Sequence, residues 1–204
     1  MNIFFTSDTH FFHSNIIRYC NRPFLKKGDL DNKGNWISRY ISKERTKEMN
    51  KLIIKNWNER VSKNDLVFHL GDFCFKYAPS ETPNAPKNAY DIIKPQLNGD
   101  IILIRGNHDG ARNGTKTIIE SLVINFGGER LFLTHVPEFC HMNYKLNLVG
   151  HVHNNWKFKR FRRGKSFTDC CNVGVDVWDF RPIDINQIMG AYTEWLKDEA
   201  NILC

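Results

Sequence analysis

Apolar positions along the chain fall in two rhythms. Short, strand-length runs rich in β-branched and aromatic residues occur at Asn2-Ile-Phe-Phe-Thr6, Leu66-Val-Phe-His-Leu70, Ile101-Ile-Leu-Ile-Arg105, Leu131-Phe-Leu-Thr134 and Leu146-Asn-Leu-Val149. Between them, polar sequence carries apolar residues at helical spacing. Met49, Leu52, Ile53 and Trp57 mark a helix that Ser42 can cap and that runs to about Arg60. Ile188, Tyr192, Trp195 and Leu196 mark a last helix over Asp184 to Glu199, with Asp184 as its cap. Shorter helices are predicted for Ser14 to Cys20, Ala89 to Leu97 and Thr115 to Leu122, and Asn172-Val-Gly-Val-Asp176 reads as a further strand. Strands separated by helices argue for an α/β layered fold. Pro79, Pro83 and Pro86 impose a loop between Ala78 and Asn88, and Gly110 to Gly114 is turn-rich. A polar stretch gives a surface insertion or lid at about 24–42 within a single domain over 1–204, a comfortable length for one full core.

Each apolar run leads into polar, metal-loving residues: Asp8-Thr-His10, Gly71-Asp72, Gly106-Asn-His-Asp109, His135 and Gly150-His-Val-His153. Taken singly, each patch has a plain structural reading. In extended backbone Asp8 and His10 point the same way, but such a triplet also arises by chance. His151 and His153 can be a packed or solvated pair, and Gly106 to Asp109 can be a turn whose side chains satisfy backbone groups. Taken together they have one geometric meaning, because open α/β sheets bind ligands at the carboxyl ends of their strands. Such ends deliver two Asp, one Asn and five His to one crevice, the makeup of a two-metal hydrolase site.

Charge and composition narrow the partners. A net charge of +7 and a pI near 9.1 suit a phosphate ester or nucleic acid, or simply a basic protein. Trp156-Lys-Phe-Lys-Arg-Phe-Arg-Arg-Gly-Lys165 interleaves cations with aromatics, as single-stranded nucleic acid requires. The same alternation suits a solvated β-hairpin turning near Arg163-Gly164. The six cysteines show no C-x-x-C spacing and are read as reduced thiols, with Cys74 and Cys140 as packing residues near the site. No run is long and apolar enough for a membrane span, and Met1 leads straight into strand-like sequence without a signal peptide. A cytoplasmic location with no membrane partner is therefore expected.

The ordered set Asp-x-His, Gly-Asp, Gly-Asn-His-Asp, His, Gly-His-x-His resembles the calcineurin-like metallophosphoesterase superfamily, over about three quarters of the chain. More narrowly, Ser7 to Ile17, Asn21-Arg-Pro-Phe24, Val67 to Phe73 and Asn172-Val-Gly-Val-Asp-Val-Trp178 resemble a group of small bacterial and phage phosphoesterases. The resemblance implies a four-layer α/β sandwich: two mixed β-sheets flanked by helices. It also implies two divalent ions about 3.5 Å apart. Carried over by motif, Asp8, His10, Asp72 and His153 hold the first ion. Asp72 bridges to the second, which Asn107, His135 and His151 complete. The donor mixture favours Mn²⁺, with Fe, Zn²⁺ or Ni²⁺ as alternatives.

The implied reaction is hydrolysis of a phosphate ester by a metal-bridging hydroxide, phosphodiesters or nucleotides being favoured. His108 assists the leaving group, and Asp109 accepts the other ring N–H of His108. His13, Arg22 and Arg105 are candidates for contact with substrate, each with a scaffold role equally open. His69 is expected in the core and His141 in an exposed loop; Asn172 and Asp176 are assigned no chemistry. The alternatives are a phosphomonoesterase or protein phosphatase, and a catalytically silent nucleic-acid-binding module. Lost ligands would mark the silent module, and every ligand position is filled.

Overall fold

The computed structural model describes residues 1–33, 35, 37, 43–75, 88–110, 114–126 and 128–198. In chain order the elements are β1 (Ile3–Thr6), α1 (Ser14–Tyr19), α2 (Lys43–Arg60), β2 (Leu66–His69), α3 (Ala89–Ile93), β3 (Asp100–Leu103) and β4 (Ser121–Phe126). They continue with β5 (Glu129–Thr134), β6 (Leu146–Val149), β7 (Phe158–Arg163), β8 (Ser166–Asn172), β9 (Ile183–Asp184) and α4 (Ile185–Lys197). Two mixed sheets result, ordered β3-β2-β1-β9 and β4-β5-β6-β8-β7. In the first, β1, β2 and β3 are parallel and β9 is antiparallel to β1. In the second, β6 lies parallel between β5 and β8, while β4 and β7 form antiparallel edges.

Neighbouring residues of one strand serve opposite cores, which is why the first-sheet strands read as continuous apolar runs. Phe4 and Val67 join Ile16 and Ile17 of α1 and Met49, Ile53 and Trp57 of α2. Phe5 and Phe68 face the second sheet and pack with Leu131, Leu133, Leu146, Leu148 and the α4 residues Ile188 and Tyr192. The architecture is the expected α/β pair of mixed sheets with flanking helices.

Local chemistry explains where elements begin and end. Asp184 caps α4 by accepting the Gln187 N–H at 3.0 Å, and the Gln187 side chain accepts the Asp184 N–H in return. The predicted Ala89 to Leu97 helix stops at Ile93 and tightens into a 3₁₀ turn at Lys94–Gln96, where Pro95 has no N–H to continue the ladder. The segment read as a helix over Thr115 to Leu122 is instead non-helical and leads into β4. Its β-branched residues favour extension, the Arg105 N–H donates to the Ile119 carbonyl, and the Thr117 hydroxyl donates to the Leu103 carbonyl. Asn172-Val-Gly-Val-Asp176 is likewise not one strand, since β8 ends at Asn172 and Val175–Val177 form a 3₁₀ turn.

The hairpin expected near Gly164 is β7–β8. As an edge strand, β7 carries exposed Lys159, Arg162 and Arg163, charges that discourage addition of another chain. Arg160 pairs with both oxygens of buried Asp169 at 2.7 and 2.8 Å, and Asp169 also accepts from Tyr192 Oη. Of the expected lid, the described part is tied to the start of α2 by Arg45–Asp29 and Lys26–Glu48 ion pairs. Ser42 and the three-proline loop lie outside the described residues. Cys20, Cys74, Cys140, Cys170 and Cys171 are buried, and none is in a disulfide. No described helix is long and apolar enough to cross a membrane.

His69 sits wholly buried in β2. Its Nε2 is 3.0 Å from Thr9 Oγ1, whose own proton goes to the Phe73 carbonyl, so the ring supplies Nε2–H as a neutral imidazole. Burial, then the His135 charge, lowers its pKa from 6.5 to about 3. The unfolded chain therefore takes up a proton near pH 6.5 that the folded chain refuses until about pH 3, so this contribution to stability is lost as pH falls through that window. Urea denaturation between pH 7 and 5 should show this slope, and His69→Gln should flatten it; an unchanged slope would refute the assignment.

Candidate metal centre

Beyond the ends of β1 and β2 the two chains stay paired. Asp8 N–H donates to the Gly71 carbonyl, His10 N–H to the Asp72 carbonyl and Phe11 N–H to the Phe73 carbonyl, each at 3.0 Å. Three glycines make this closeness possible. A Cβ on Gly106 would lie 2.3 Å from Asp72 N and Oδ1, one on Gly71 2.6 Å from Gly106, and one on Gly150 2.6 Å from Ser7 Oγ and 2.7 Å from Asp8 Oδ2. The residues that follow are bent sharply. Asp8, His10, Asp72, His151 and His153 all take positive φ, from 48° to 73°, a region that non-glycine residues seldom enter.

The bends gather the side chains of both sheets at one end. Asp72 Oδ2 lies 3.4 Å from His10 Nε2 and 3.5 Å from His135 Nε2, while Oδ1 accepts the His108 backbone N–H at 2.8 Å. On one side Asp8, His10 and His153 bring donor atoms within 4.8 Å of one another; on the other, Asp72, His135 and His151 do the same. Asn107 Oδ1 completes the second group, 3.0 Å from His135 Nε2 and 2.9 Å from His151 Nδ1. All seven sequence-predicted ligands thus converge, with Asp72 between the groups. Asp8, His10, Asp72 and His135 are buried, whereas Asn107, His108 and His151 are exposed, so the centre opens to solvent on that side.

The donor chemistry fits divalent cations. His10 Nε2 is buried and has no hydrogen-bond partner among the described residues, an arrangement that costs free energy unless a cation takes its lone pair. His135 Nδ1 is 2.6 Å from the Leu70 carbonyl; a carbonyl only accepts, so Nδ1 carries the proton and Nε2 is the available donor atom. Burial opposes charge on His135 and His153, yet hydrogen bonds to Asp72 and Asp176 outweigh it and raise their pKa values to about 9 and about 10. Burial alone would raise Asp72, but bonding from His135 and the His108 N–H holds it below its ordinary value. The carboxylates of the centre demand positive charge.

Other predicted site residues are placed differently from expectation. The Asp109 carboxylate, expected to accept a ring N–H of His108, accepts the backbone N–H groups of Asp72 at 2.8 Å, Gly106 at 2.9 Å and Phe73 at 3.2 Å. It staples the second and third loops together. Arg22, a candidate for substrate contact, is wholly buried and spends its guanidinium on Asp176 and on the Asp8 and Thr9 carbonyls. Arg105 is half exposed, with Nη1 3.9 Å from Glu120. His13 is at the centre but buried, its Nδ1 3.2 Å from His10 Nδ1 and its ring stacked 4.2 Å from Phe75. Burial and the nearby His108 and Arg22 charges lower its pKa to about 4, so it is neutral at pH 7. His108 stands edge-on to His10, ring centroids 5.5 Å apart.

Two contributors escaped the sequence reading. Ser7 Oγ donates to Asp8 Oδ2 at 2.6 Å, and Asp176 Oδ2 lies 3.0 Å from His153 Nδ1. Both lie in segments that carry the resemblance, Ser7 to Ile17 and Asn172 to Trp178, although Asp176 was assigned no chemistry.

Two facing mixed sheets with a clustered carboxylate, amide and imidazole donor set at their shared end define a metallohydrolase-type centre. A family model described as calcineurin-like phosphoesterase matches residues 1–201, and the chain belongs to that family. It is 35% identical over 196 residues to an uncharacterized protein of Methanocaldococcus jannaschii, covering 92% of this chain and 89% of that protein. It is also similar in fold to a protein of unknown function from Aquifex aeolicus, with TM-score 0.59 and 24% identity over 93% of this chain and 98% of that one.

Gly106→Ala should force Asp72 aside, costing about 1–3 kcal/mol of stability and weakening divalent-ion binding. Gly110→Ala, where a Cβ meets nothing within 4 Å, is the matched control. Calorimetric titration and thermal melts of both variants decide it; equal behaviour would refute the close-approach argument.

Proposed function

We propose that the protein is a binuclear metal-dependent phosphoesterase that favours phosphodiester or nucleotide substrates, with Mn²⁺ as the activating ion. The observation that carries this reading is Asp72 Oδ2, placed between His10 Nε2 and His135 Nε2 with a donor group on either side. Asp8, His10, Asp72 and His153 would hold one ion, and Asp72, Asn107, His135 and His151 the other. Divalent ions so held polarise a phosphoryl group and lower the pKa of water.

The chain's own residues do the rest. Substrate enters from the exposed side, where His108 stands ready to give a proton or hydrogen bond to the departing oxygen. Its backbone N–H donates to Asp72 Oδ1, which ties the backbone that carries the His108 ring to that carboxylate. Asp109 holds the loop that carries it. A diester needs less compensating charge than a monoester dianion, and Arg22 and Arg105 offer little: one is buried and engaged, the other half exposed beside Glu120. The basic net charge favours anionic polymers or nucleotides among the diesters. Nucleic-acid contact by the β7–β8 hairpin would rest on Lys159, Arg162 and Lys165, which are exposed, and not on Arg160.

The reading is tested by turnover of p-nitrophenyl phosphate, its bis ester, cyclic nucleotides and short DNA or RNA with Mn²⁺, Fe²⁺, Ni²⁺ and Zn²⁺. The expected result is metal-dependent hydrolysis, fastest on diesters with Mn²⁺. His108→Ala should lower kcat about 10²–10⁴-fold on diesters with poor leaving groups while Mn²⁺ binding is kept. No turnover on any member overturns the enzyme reading, and an unimpaired His108→Ala overturns the leaving-group role.

A further inference from the structure

Arg22 and Asp176 form a buried ion pair, with side-chain exposures of 0% and 3%. Arg22 Nε donates to Asp176 Oδ1 at 2.7 Å and Nη2 to Oδ2 at 2.9 Å, a bidentate fork. The guanidinium has further donors in use: Nη2 reaches the Asp8 carbonyl at 2.7 Å, and Nη1 reaches the Thr9 carbonyl at 3.2 Å and Met49 Sδ at 3.3 Å. Asp176 Oδ2 meets one more group, His153 Nδ1, at 3.0 Å. One ion pair therefore ties the chain after α1, the loop after β1, the loop after β6 and the turn after β8.

Buried ion pairs are poor stabilisers, because desolvation cancels most of the attraction and a well-packed apolar pair often does as well. The job of this one is more specific. A carboxylate gripped by an arginine fork accepts hydrogen bonds, so His153 Nδ1 carries a proton toward Asp176 and Nε2 is the ring nitrogen left to face a cation. Asp176 Oδ2 faces both Arg22 Nη2 and His153 Nδ1 and Oδ1 is held by Arg22 Nε, so Asp176 is assigned the support of His153 rather than a ligand's place, even though Cys20, His153 and Asp176 also cluster within 4.8 Å. The same guanidinium holds the backbone of Asp8, another member of the first donor group, in its left-handed conformation. The second group has separate support, from the Leu70 carbonyl on His135.

We propose that Arg22 and Asp176 are positioning residues that set the tautomer and orientation of His153 and thereby the affinity of the first metal group alone. The inference rests on the two-group reading of the centre. In Mn²⁺ titrations followed by calorimetry, Asp176→Asn should weaken one of two binding events about 10–100-fold and leave the other as in the wild type. Arg22→Lys keeps the cation but loses the fork, should weaken the same event, and stands in if Asp176→Asn does not fold. In Zn²⁺-loaded protein, ring ¹⁵N spectra should show His153 protonated at Nδ1 in the wild type, with that signature lost in Asp176→Asn. Two unchanged affinities with only a lower melting temperature would reduce the pair to a structural role and overturn the proposal. A wild type that binds no ion at all would overturn the metal reading itself.

Discussion

Two carboxylates that water cannot reach, Asp8 and Asp72, impose most of what surrounds them. An ionised carboxylate in a dry interior is tolerable only when its oxygens are covered by donors and its charge is met by positive charge. The loops supply the donors: the Ser7 hydroxyl and His151 N–H for Asp8, and the His108 N–H for Asp72. Imidazoles stand where cations are called for. The arrangement could not sit on an open surface, where water would screen the charges; it needs the two sheets closed over it, with Phe5, Phe68 and Leu70 filling the space beneath.

Crowding so many donors around one carboxylate bends the chain beyond what L-residues prefer. Each left-handed residue costs of order 1–3 kcal/mol, and five of the seven ligands pay it. The strain persists because the loops are over-determined: pairing continues past the strand ends, Asp109 staples two loops through three backbone donors, and Arg22 holds a third. Precision at the centre is thus bought with backbone energy and held by groups that touch no substrate.

How much was legible in the sequence depended on the range of the interaction. The strands leading to ligands were readable because burial on both faces leaves uninterrupted apolar runs, and the ligands because they follow those runs directly. The Thr115 to Leu122 helix failed because its apolar spacing suits two structures, and tertiary bonds from Arg105 and Thr117 chose extension. The stapling role of Asp109 was hidden for a related reason: adjacency to His108 suggests a side-chain partner, whereas the turn aims its carboxylate back at the N–H groups of Asp72 and Gly106. Arg22 and Asp176 are 154 residues apart, and no local pattern announces a bond of that span.

The ladder that runs on between residues 8–11 and 71–73 makes the centre sensitive to chain length in a way it is not to side-chain bulk elsewhere. Substituting a neighbour changes one contact, but inserting or deleting a single residue in either segment shifts the register of every bond beyond it and turns ligands away from their partners. Variation in length has to be confined to connections that lie off this ladder, such as the polar stretch following Phe24. The fold can therefore acquire new surfaces for new substrates while the spacing of these two loops stays fixed.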